Sequence, residues 1–264
     1  MTGANILYIP HGGGALPLLD EAGHGAMNRF LRGFASTIVR PDAIVVISAH
    51  WEESVVTINA GRNPQLYFDY FNFPPEAYQY LYPAPGDPRL AERIQGVLQQ
   101  ASIASNLDFD RGYDHGLFIP LMMMYPDADI PCVQVSLANS LDAGLHVQIG
   151  KALSALKSEN LLILGSGFSF HNMQAFNNKP VDSPDERNQA FEAWLAQTCS
   201  EASIDEAERE ARLVDWQQAP HARYCHPREE HLLPLQVCYG VAQCAATTVF
   251  QDRVSGFLVS AYQW

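Results

Sequence analysis

Four short apolar segments constrain the fold of this chain more than any other feature of its sequence. They are rich in branched side chains and mostly do not alternate with polar residues, and they span residues 6–9, 43–47, 133–137 and 161–164. This pattern is typical of strands in a sheet that is covered on both faces. Two further segments, residues 247–250 and 256–261, can add strands, and we expect these at an edge of the sheet.

Helical patterns lie between the apolar segments. Residues 24–35 and residues 145–156 carry apolar side chains at helical spacing. Asp87 followed by Pro88 predicts the cap and the first residue of a third helix. A capping box predicts a fourth helix, and it consists of Ser183-Pro184-Asp185-Glu186. Strands that alternate with helices in this way predict an α/β fold, with a central, mostly parallel sheet flanked by helices on both faces.

The length and composition favour a single domain over residues 1–264. A chain of 264 residues, of which 47% are hydrophobic and 17% are charged, can bury a large core. Two long stretches, residues 61–86 and residues 168–183, lack the composition of flexible linkers, and the first is rich in proline and aromatic residues. Long loops over an α/β sheet usually cover a site, so we expect these two near the functional residues.

The charge and the cysteines limit the partners and the location of the protein. The formal net charge is −13, which disfavours nucleic acid and anionic membrane surfaces as partners. Residues 1–14 lack the basic region of a signal peptide, and no apolar segment approaches the roughly 18 residues of a membrane span. The chain has five cysteines and no Cys-x-x-Cys pair, which predicts free thiols in a reducing compartment. We therefore expect a cytoplasmic protein, whose oligomeric state the sequence does not indicate.

Three of the nine histidines follow the segments that we predict to be strands. His11 comes shortly after the first segment, His50 after the second and His171 after the fourth. In open α/β sheets, ligands bind beyond the carboxyl ends of the strands. If these strands are parallel and adjacent, the three imidazoles converge on one side of the sheet. Neutral imidazole is a common ligand for zinc and iron, so the pattern predicts a metal site.

Two more histidines are candidates because they stand in short polar motifs. His231 follows two glutamates at the predicted start of a helix, and His115 lies in a turn-like motif before an apolar segment. A single histidine after a strand is more often a hydrogen-bonding loop residue than a ligand, so it is the repeated placement that favours a metal site. His226 either orients a loop or supports the site. The remaining histidines are expected to be surface or structural residues, and they are His24, His146 and His221.

The glycines after His11 have two interpretations. Gly12-Gly13-Gly14 resembles a phosphate-binding turn, but the segment lacks the Gly-x-Gly-x-x-Gly spacing and the Gly-Lys-Ser/Thr ending of such motifs. The alternative is that these glycines let the backbone turn sharply past a ligand histidine and leave room for a substrate. Ser166 lies between two glycines, but its surroundings do not match the Gly-x-Ser-x-Gly nucleophile motif, which disfavours a serine hydrolase.

A set of short motifs occurs in a fixed order along nearly the whole chain. The motifs are His11-Gly12-Gly13-Gly14, Pro17-Leu18-Leu19, Ser48-Ala49-His50-Trp51, Tyr82-Pro83-Ala84-Pro85-Gly86, Asp114-His115-Gly116, Tyr125-Pro126-Asp127-Ala128-Asp129-Ile130-Pro131, His171-Asn172 and Glu230-His231-Leu232-Leu233-Pro234-Leu235. Each motif alone is weak, but the ordered set resembles the class III extradiol ring-cleavage dioxygenases, in the branch similar to 4,5-DOPA extradiol dioxygenase. The resemblance implies a single α/β domain with one mononuclear metal site.

The resemblance also implies roles for individual histidines. One divalent metal ion per chain, Zn(II) or Fe(II), would be held by His11, His50 and His231. His171 would lie at the same metal, as a fourth ligand in a resting zinc form or as a catalytic base, and His115 would act as an acid or base beside it. Other members of the class hold Fe(II) with two histidines and one glutamate, whereas here His231 takes the matching position and Glu230 is its neighbour. An all-imidazole site suits zinc as well as iron.

The reaction that the resemblance implies is the opening of an aromatic ring by O₂. The substrate would be a small catechol-type, DOPA-like aromatic diol that chelates the metal and loses protons to a nearby histidine. A protonated histidine, either His115 or His171, would assist cleavage of the O–O bond. The aromatic loop of residues 67–82 either forms a wall for the flat ring or simply caps the core.

Two other functions fit the same histidines. A zinc hydrolase would activate water at the metal, with Glu229, Glu230 or Asp114 as the base. A non-catalytic protein would bind the metal on the same fold without turnover. Catechol and O₂ added to Fe(II)-loaded protein distinguish the three, because only a dioxygenase yields a yellow ring-opened product.

Overall fold

A single eight-stranded sheet forms the centre of the computed structural model, which describes residues 3–178 and 184–264. In chain order, the strands are β1 Asn5–Pro10, β2 Ala43–Glu53, β3 Val56–Asn59, β4 Ser105–Asp108, β5 Cys132–Ala138, β6 Leu161–Gly167, β7 Thr247–Val254 and β8 Phe257–Gln263. Their order across the sheet is β4-β3-β5-β2-β6-β1-β8-β7. The four predicted buried strands, β1, β2, β5 and β6, are therefore neighbours at the centre of the sheet.

The direction of the strands confirms the mostly parallel sheet. β1 pairs with β6, β6 with β2 and β2 with β5, and all three pairings are parallel. The two strands at the end of the chain form an antiparallel pair beside β1, with β7 at the edge, as the sequence predicts. At the other edge, the short β3 and β4 were not predicted, and β3 runs antiparallel to β5.

Helices cover both faces of the sheet. Within the described residues the α-helices are α1 Gly25–Phe34, α2 Pro88–Gln100, α3 His115–Met124, α4 Ala143–Leu153, α5 Met173–Asn178, α6 Glu186–Ser200, α7 Glu206–Val214, α8 Ala222–Cys225 and α9 Leu233–Ala242. A Cβ at Gly165 of β6 would lie 2.7 Å from the carbonyl oxygen of Pro234 in α9. The hydroxyl of the next residue, Ser166, donates to the carbonyl of Gly116 in α3. Because successive residues of a strand point to opposite faces, α9 and α3 lie on opposite sides of the sheet.

Two predicted helix starts have different outcomes. The Asp87 cap is confirmed, because its carboxylate accepts a hydrogen bond of 3.0 Å from the Leu90 amide. The predicted start at Ser183 is wrong by two residues. Asp185 caps α6, because its carboxylate accepts hydrogen bonds from the amides of Arg187 and Asn188 at 3.0 and 3.1 Å. Ser183 itself lies outside the described residues.

The prediction that a strand ends before His50 is also wrong. β2 continues through His50 to Glu53, and its pairing with β5 shifts register between Ile47 and Glu52. Such an irregularity lets a strand bend and still pair again beyond the bend. Similarly, His115 does not precede α3 but is its first residue. Both histidines are thus held by regular secondary structure.

Two other expectations concern cysteines and membranes. All five cysteines are free in this structure, and four of them are buried. Among the described helices, none combines the length and the apolar character that crossing a bilayer requires.

Two glycines let α4 and α9 pack with their backbones almost in contact. A Cβ at Gly150 would lie 2.1 Å from the carbonyl oxygen of Val237 and 2.7 Å from the Cα of Gly240. We expect Gly150→Ala to lower the free energy of unfolding by roughly 1–3 kcal/mol, as overpacking of a dense core does. Urea unfolding followed by circular dichroism measures the change.

Gly96→Ala is the matched control for this substitution. Gly96 also lies inside a helix, α2, but nothing lies within 4 Å of the position that its Cβ would take. Alanine there should leave stability unchanged or raise it by up to about 1 kcal/mol, because glycine is a poor helix former. If both variants unfold at the same urea concentration, the close packing of α4 and α9 does not contribute as argued.

Candidate active site

The order of the strands brings the predicted histidines together at the carboxyl ends of the central strands. β2, β6 and β1 are adjacent and parallel, so their carboxyl ends lie side by side. His11 directly follows β1, and its amide donates to the carbonyl of Gly167, the last residue of β6, at 3.1 Å. His50 lies near the end of β2, and His171 lies four residues beyond β6. The strands before His11, His50 and His171 are thus parallel and adjacent, which is the arrangement that the predicted convergence of these histidines requires.

Three imidazoles meet at a single point, and we call His11, His50 and His231 the histidine cluster. Nε2 of His50 lies 2.9 Å from Nε2 of His11 and 3.2 Å from Nε2 of His231. One ring nitrogen from each of the three lies within 4.8 Å of the other two. The residues come from distant parts of the chain, so only the tertiary fold creates this arrangement.

Hydrogen bonds at the opposite ring nitrogens fix the tautomers in the histidine cluster. Nδ1 of His11 lies 3.0 Å from the hydroxyl of Ser166, which already donates to a carbonyl and therefore accepts from the imidazole. Nδ1 of His231 lies 2.9 Å from Oε1 of Glu230, which can only accept when ionised. In both rings the proton sits on Nδ1, so the lone pair of Nε2 points into the cluster. Ser166 thus orients a histidine and is not placed as a nucleophile.

Burial keeps the histidine cluster neutral. Removal from water lowers the pKa of His11, His50 and His231 well below the ordinary value of 6.5, and the neighbouring histidines lower it further. The carboxylates near His50 oppose this effect without reversing it. Neutral imidazole is the form that binds a metal, so the cluster is in its binding form at neutral pH.

A close backbone approach places His231. Its carbonyl oxygen accepts from the Tyr8 hydroxyl at 2.9 Å and from the Phe168 amide at 3.0 Å. A Cβ at Gly167 would lie only 2.1 Å from the same oxygen. Glycine at the end of β6 therefore lets the segment before α9 approach the carboxyl ends of β1 and β2, where His11 and His50 lie.

His171 stacks on the histidine cluster from one side. Its ring lies 3.4 Å from the His231 ring, centroid to centroid, with 17° between the planes. Its Nδ1 is 3.3 Å from Oε1 of Glu230, so this carboxylate faces two histidines. His171 forms a second group of potential ligands together with Glu230 and His231.

His115 lies on another side of the cluster and is held by a carboxylate that we did not predict. The ring centroids of His115 and His50 are 3.8 Å apart. Oδ1 of Asp69 accepts from the His115 amide at 3.0 Å and lies 2.8 Å from its Nδ1. Burial alone raises the pKa of Asp69, but the hydrogen bonds and charge of His115 reverse this and lower the pKa below its ordinary value. Asp69 comes from the aromatic loop, 46 positions away, and no short motif links it to His115.

A cavity of about 540 Å³ opens over these residues. Its wall combines the site histidines with glycines and aromatic side chains: Gly12, Gly13, Gly14, Leu16, His24, His50, Asp69, Tyr70, Phe71, Phe73, His115, Phe168, His171, Met173, Phe176, Asn177, His231 and Ser255. Part of the aromatic loop of residues 67–82 therefore lines the cavity, as one of its two predicted roles requires. Tyr82, by contrast, is buried and belongs to the core.

The glycines after His11 form a sharp turn beside this histidine, which is the second of the two interpretations that the sequence allows. Gly12 and Gly14 have positive φ angles of 87° and 55°. A Cβ at Gly12 would lie 2.4 Å from a Pro17 side-chain atom, and one at Gly14 would lie 2.9 Å from the Phe73 ring. The segment turns sharply beside His11 and lines the cavity, and the first α-helix after it begins only at Gly25.

The histidines outside the predicted site have structural contacts. Buried His146 accepts from the Ala138 amide at 3.2 Å. His226 donates from Nε2 to the carbonyl of Ser169 at 2.8 Å and so orients the loop that leads to His171. His24 is closer to the site than we expected, because it lines the cavity and accepts from the Gly13 amide at 3.2 Å.

Comparison with known proteins gives one consistent family. Residues 6–257 match the model of the catalytic LigB subunit of aromatic ring-opening dioxygenase. A protein named 4,5-DOPA dioxygenase extradiol from Beta vulgaris is 37% identical, and the match covers 89% of this chain and 85% of that protein. A protein of the same name from Escherichia coli (strain K12) is 33% identical, with coverage of 89% and 83%. Dioxygenase tasH from Hapsidospora irregularis is 35% identical, with coverage of 99% and 85%.

A solved structure supports the same fold over the full chain. The crystal structure of an uncharacterized protein from Escherichia coli K12 superposes with a TM-score of 0.77 and 28% sequence identity, and it covers 100% of this chain and 99% of that chain. The family match, the relatives and the fold agree with the resemblance that the ordered motifs indicate. The chain therefore belongs to the LigB family of class III extradiol dioxygenases, and it is an oxidoreductase that cleaves aromatic rings.

Proposed function

We propose that the histidine cluster binds one divalent metal ion and that the enzyme uses it to open the ring of a catechol with O₂. The observation that carries this proposal is the convergence of three Nε2 atoms, with separations of 2.9 and 3.2 Å from that of His50, beside a cavity that His50 and His231 line. Three protein ligands with open positions beside them are typical of a catalytic metal centre. The relatives named for 4,5-DOPA make L-DOPA the first substrate to test.

The cluster fits a metal ion in both spacing and chemistry. Two nitrogens bound to one tetrahedral zinc at about 2.1 Å lie roughly 3.4 Å apart, close to the separations within the cluster. Ser166 and Glu230 supply the hydrogen bonds that metal-bound histidines usually make at their other nitrogen. Three imidazoles suit both Zn(II) and Fe(II). We propose Fe(II) for the active enzyme, because ring opening by O₂ needs a metal that exchanges electrons and zinc has no redox chemistry.

We propose that His171 is the base that accepts a proton from the catechol. Its stacked position beside His231 leaves it on the cavity wall, where it would be accessible to a diol bound at the histidine cluster. Glu230 lies 3.3 Å from its Nδ1 and orients the ring, which leaves the other nitrogen to accept a proton. When bound, the metal would supply a positive charge that favours the ionised diol and positions for O₂.

We propose that His115, which lies on another side of the histidine cluster from His171, is the proton donor. Asp69 accepts from both its amide and its Nδ1 and therefore fixes the ring with Nε2 turned away from the carboxylate. A general acid must present its proton to the reacting group, and this orientation turns Nε2 toward the cavity that His115 lines. The His115 ring lies against that of His50 and lines the cavity, so a proton on its Nε2 would be available to a ligand bound at the histidine cluster.

The three carboxylates considered as the base of a hydrolase all contact other side chains. Glu230 faces the Nδ1 atoms of His231 and His171. Asp114 is fully buried and bonded to Ser48 at 2.8 Å, and Glu229 pairs with an arginine at 2.6 Å. Each of the carboxylates considered for that role has another partner. No specific observation favours a hydrolase or a non-catalytic protein over ring opening.

Anaerobic loading with Fe(II), followed by catechol or L-DOPA and O₂, tests the proposed function. We expect consumption of one O₂ for each catechol, because both oxygen atoms enter the ring-opened semialdehyde acid, and a yellow product. Protein loaded with Zn(II) is the control, and we expect it to bind the diol without turnover. Stoichiometric Fe(II) with no O₂ uptake for any catechol would contradict the proposal.

The carboxylate of Glu230 is expected to strengthen metal binding without being a ligand. We expect Glu230→Gln to weaken the affinity for Zn(II) or Fe(II) by 10–100-fold, a range typical of residues that orient metal-bound histidines. The neutral amide keeps the volume of the side chain but polarises His231 less. Competition against a chromophoric chelator measures the affinity.

Glu229→Gln is the control because its carboxylate pairs with Arg223 and not with a site histidine. We expect its metal affinity to match that of the parent protein. Equal affinities in the parent and Glu230→Gln proteins would remove Glu230 from the proposed machinery.

A further inference from the structure

The cavity has a buried floor and an exposed mouth. At the floor lie His50 and His231, of which His231 is 4% exposed, and His11, which contacts His50, is 1% exposed. At the mouth, two large apolar side chains that line the same cavity are left in water: Phe71 is 78% exposed and Met173 is 57% exposed. Large apolar side chains exposed at the rim of a cavity mark a surface that a ligand covers.

Apolar walls connect the floor to the mouth. The Phe168 ring lies 6.3 Å from the His11 ring and 6.0 Å from the ring of Phe176, centroid to centroid. Phe176 belongs to the same short helix as Met173. On the opposite loop, Phe73 packs against Tyr70 at 5.1 Å and leads to Phe71. An apolar group attached to a ring at the floor would therefore remain in contact with apolar side chains out to the mouth.

The volume is larger than one catechol ring needs. A cavity of about 540 Å³ falls within the range of about 300–1,000 Å³ that holds drug-sized ligands. With the diol held at the histidine cluster, the ring occupies only the inner part. The outer part, between Phe71 and Met173, is free for a substituent on the ring.

Resting on the proposed function, we propose that the preferred substrate is a catechol that carries a bulky apolar substituent, such as an aryl or branched alkyl group, at the position that points to the mouth. Burying such a group against Phe71, Met173 and Phe176 removes apolar surface from water on both sides. A charged amino-acid substituent would instead lose hydration against the same side chains. The outer cavity thus selects for apolar substituents on a catechol ring that the floor recognises.

A substrate series tests this preference in two ways. The series is catechol, 4-methylcatechol, 4-tert-butylcatechol, 4-phenylcatechol and L-DOPA. We expect kcat/KM of the Fe(II) enzyme to rise at least tenfold from catechol to 4-phenylcatechol. We expect kcat/KM for L-DOPA to be at least tenfold lower than that for 4-phenylcatechol. The dissociation constants of the same compounds, measured anaerobically by calorimetry on the metal-loaded protein, should follow the same order.

Variants at the mouth assign the effect to the cavity. In the double variant Phe71→Ser and Met173→Ser, the tenfold advantage of 4-phenylcatechol over catechol should shrink to threefold or less. The matched control is Leu81→Ser with Phe109→Ser, whose side chains are 83% and 62% exposed but do not line the cavity. Its substrate ratio should equal that of the parent protein.

The outcomes separate this inference from the proposed function. If catechol is opened but kcat/KM is equal across the series, or is highest for L-DOPA, the apolar preference is overturned and the proposed function remains intact. Absence of ring opening with every compound overturns the proposed function. In that case the anaerobic dissociation constants still decide the apolar preference, because equal affinity for catechol and 4-phenylcatechol contradicts it.

Discussion

Replacing His11 or His50 by alanine is expected to reduce the metal content from one ion per chain to nearly none and to lower ring-opening activity by at least about a thousandfold. Each residue contributes one of the three Nε2 atoms that converge in the histidine cluster, and a catalytic site needs about three protein ligands. Loss of a residue that merely orients a ligand weakens binding by roughly 10–100-fold, so loss of a ligand should exceed that range. Elemental analysis after anaerobic loading and desalting measures the metal content.

The metal-free proteins should differ little in stability, because both imidazoles pack mainly against the other site histidines and not against the apolar side chains of the core. Thermal unfolding of the metal-free parent and variants measures this. His221→Asn is the matched control, since His221 is an exposed histidine with a left-handed backbone that asparagine tolerates. We expect this variant to keep one metal ion per chain. Stoichiometric metal in both alanine variants would remove His11 and His50 from the ligand set.

The centre of the fold could be predicted from the sequence because burial leaves a strong pattern. The segments 6–9, 43–47, 133–137 and 161–164 are continuous apolar runs, and they became the four parallel strands that are covered on both faces. The missed strands are different. β4 has the sequence Ser-Asn-Leu-Asp and lies at the edge, where partial exposure permits polar residues. A run of four residues with one apolar side chain gives no periodicity to detect.

The meeting of His11 and His50 followed from a topological argument. Both lie at the carboxyl ends of parallel strands, and β6, which carries Ser166, lies between those strands. The contribution of His231 could be taken only from the family resemblance, because its approach depends on the contact with Gly167 across the fold. Contacts that are made only in the tertiary structure leave no mark on local spacing.

The carboxylate partner of His115 shows the same limit. Asp69 sits among aromatic residues in a long loop, 46 positions from His115, and a loop aspartate has no pattern that distinguishes it from a solvated one. Glu230 was easier to find, because it is adjacent to His231 in the sequence. Hydrogen-bond partners of a site are thus predictable when they are neighbours in the chain and otherwise require the fold.

Replacing His171 by glutamine is expected to separate proton transfer from metal binding. If His171 is the base, His171→Gln should retain one metal ion per chain and lose about 10²–10⁴-fold in kcat, which is the usual contribution of a general base. The geometry favours this result, because the ring of His171 is stacked on that of His231, whereas the converging nitrogens belong to His11, His50 and His231. Metal analysis and steady-state kinetics on the same preparation measure both quantities.

Gln174→Ala is the control, because Gln174 lies three residues after His171, is exposed in α5 and does not line the cavity. Its metal content and kcat should equal those of the parent. If His171→Gln loses the metal together with activity, His171 is a fourth ligand and the base must be another residue. If it keeps both the metal and full activity, neither role applies. Only retained metal with a large loss of kcat supports proton transfer by His171, because a ligand and a base differ in what remains when the imidazole is removed.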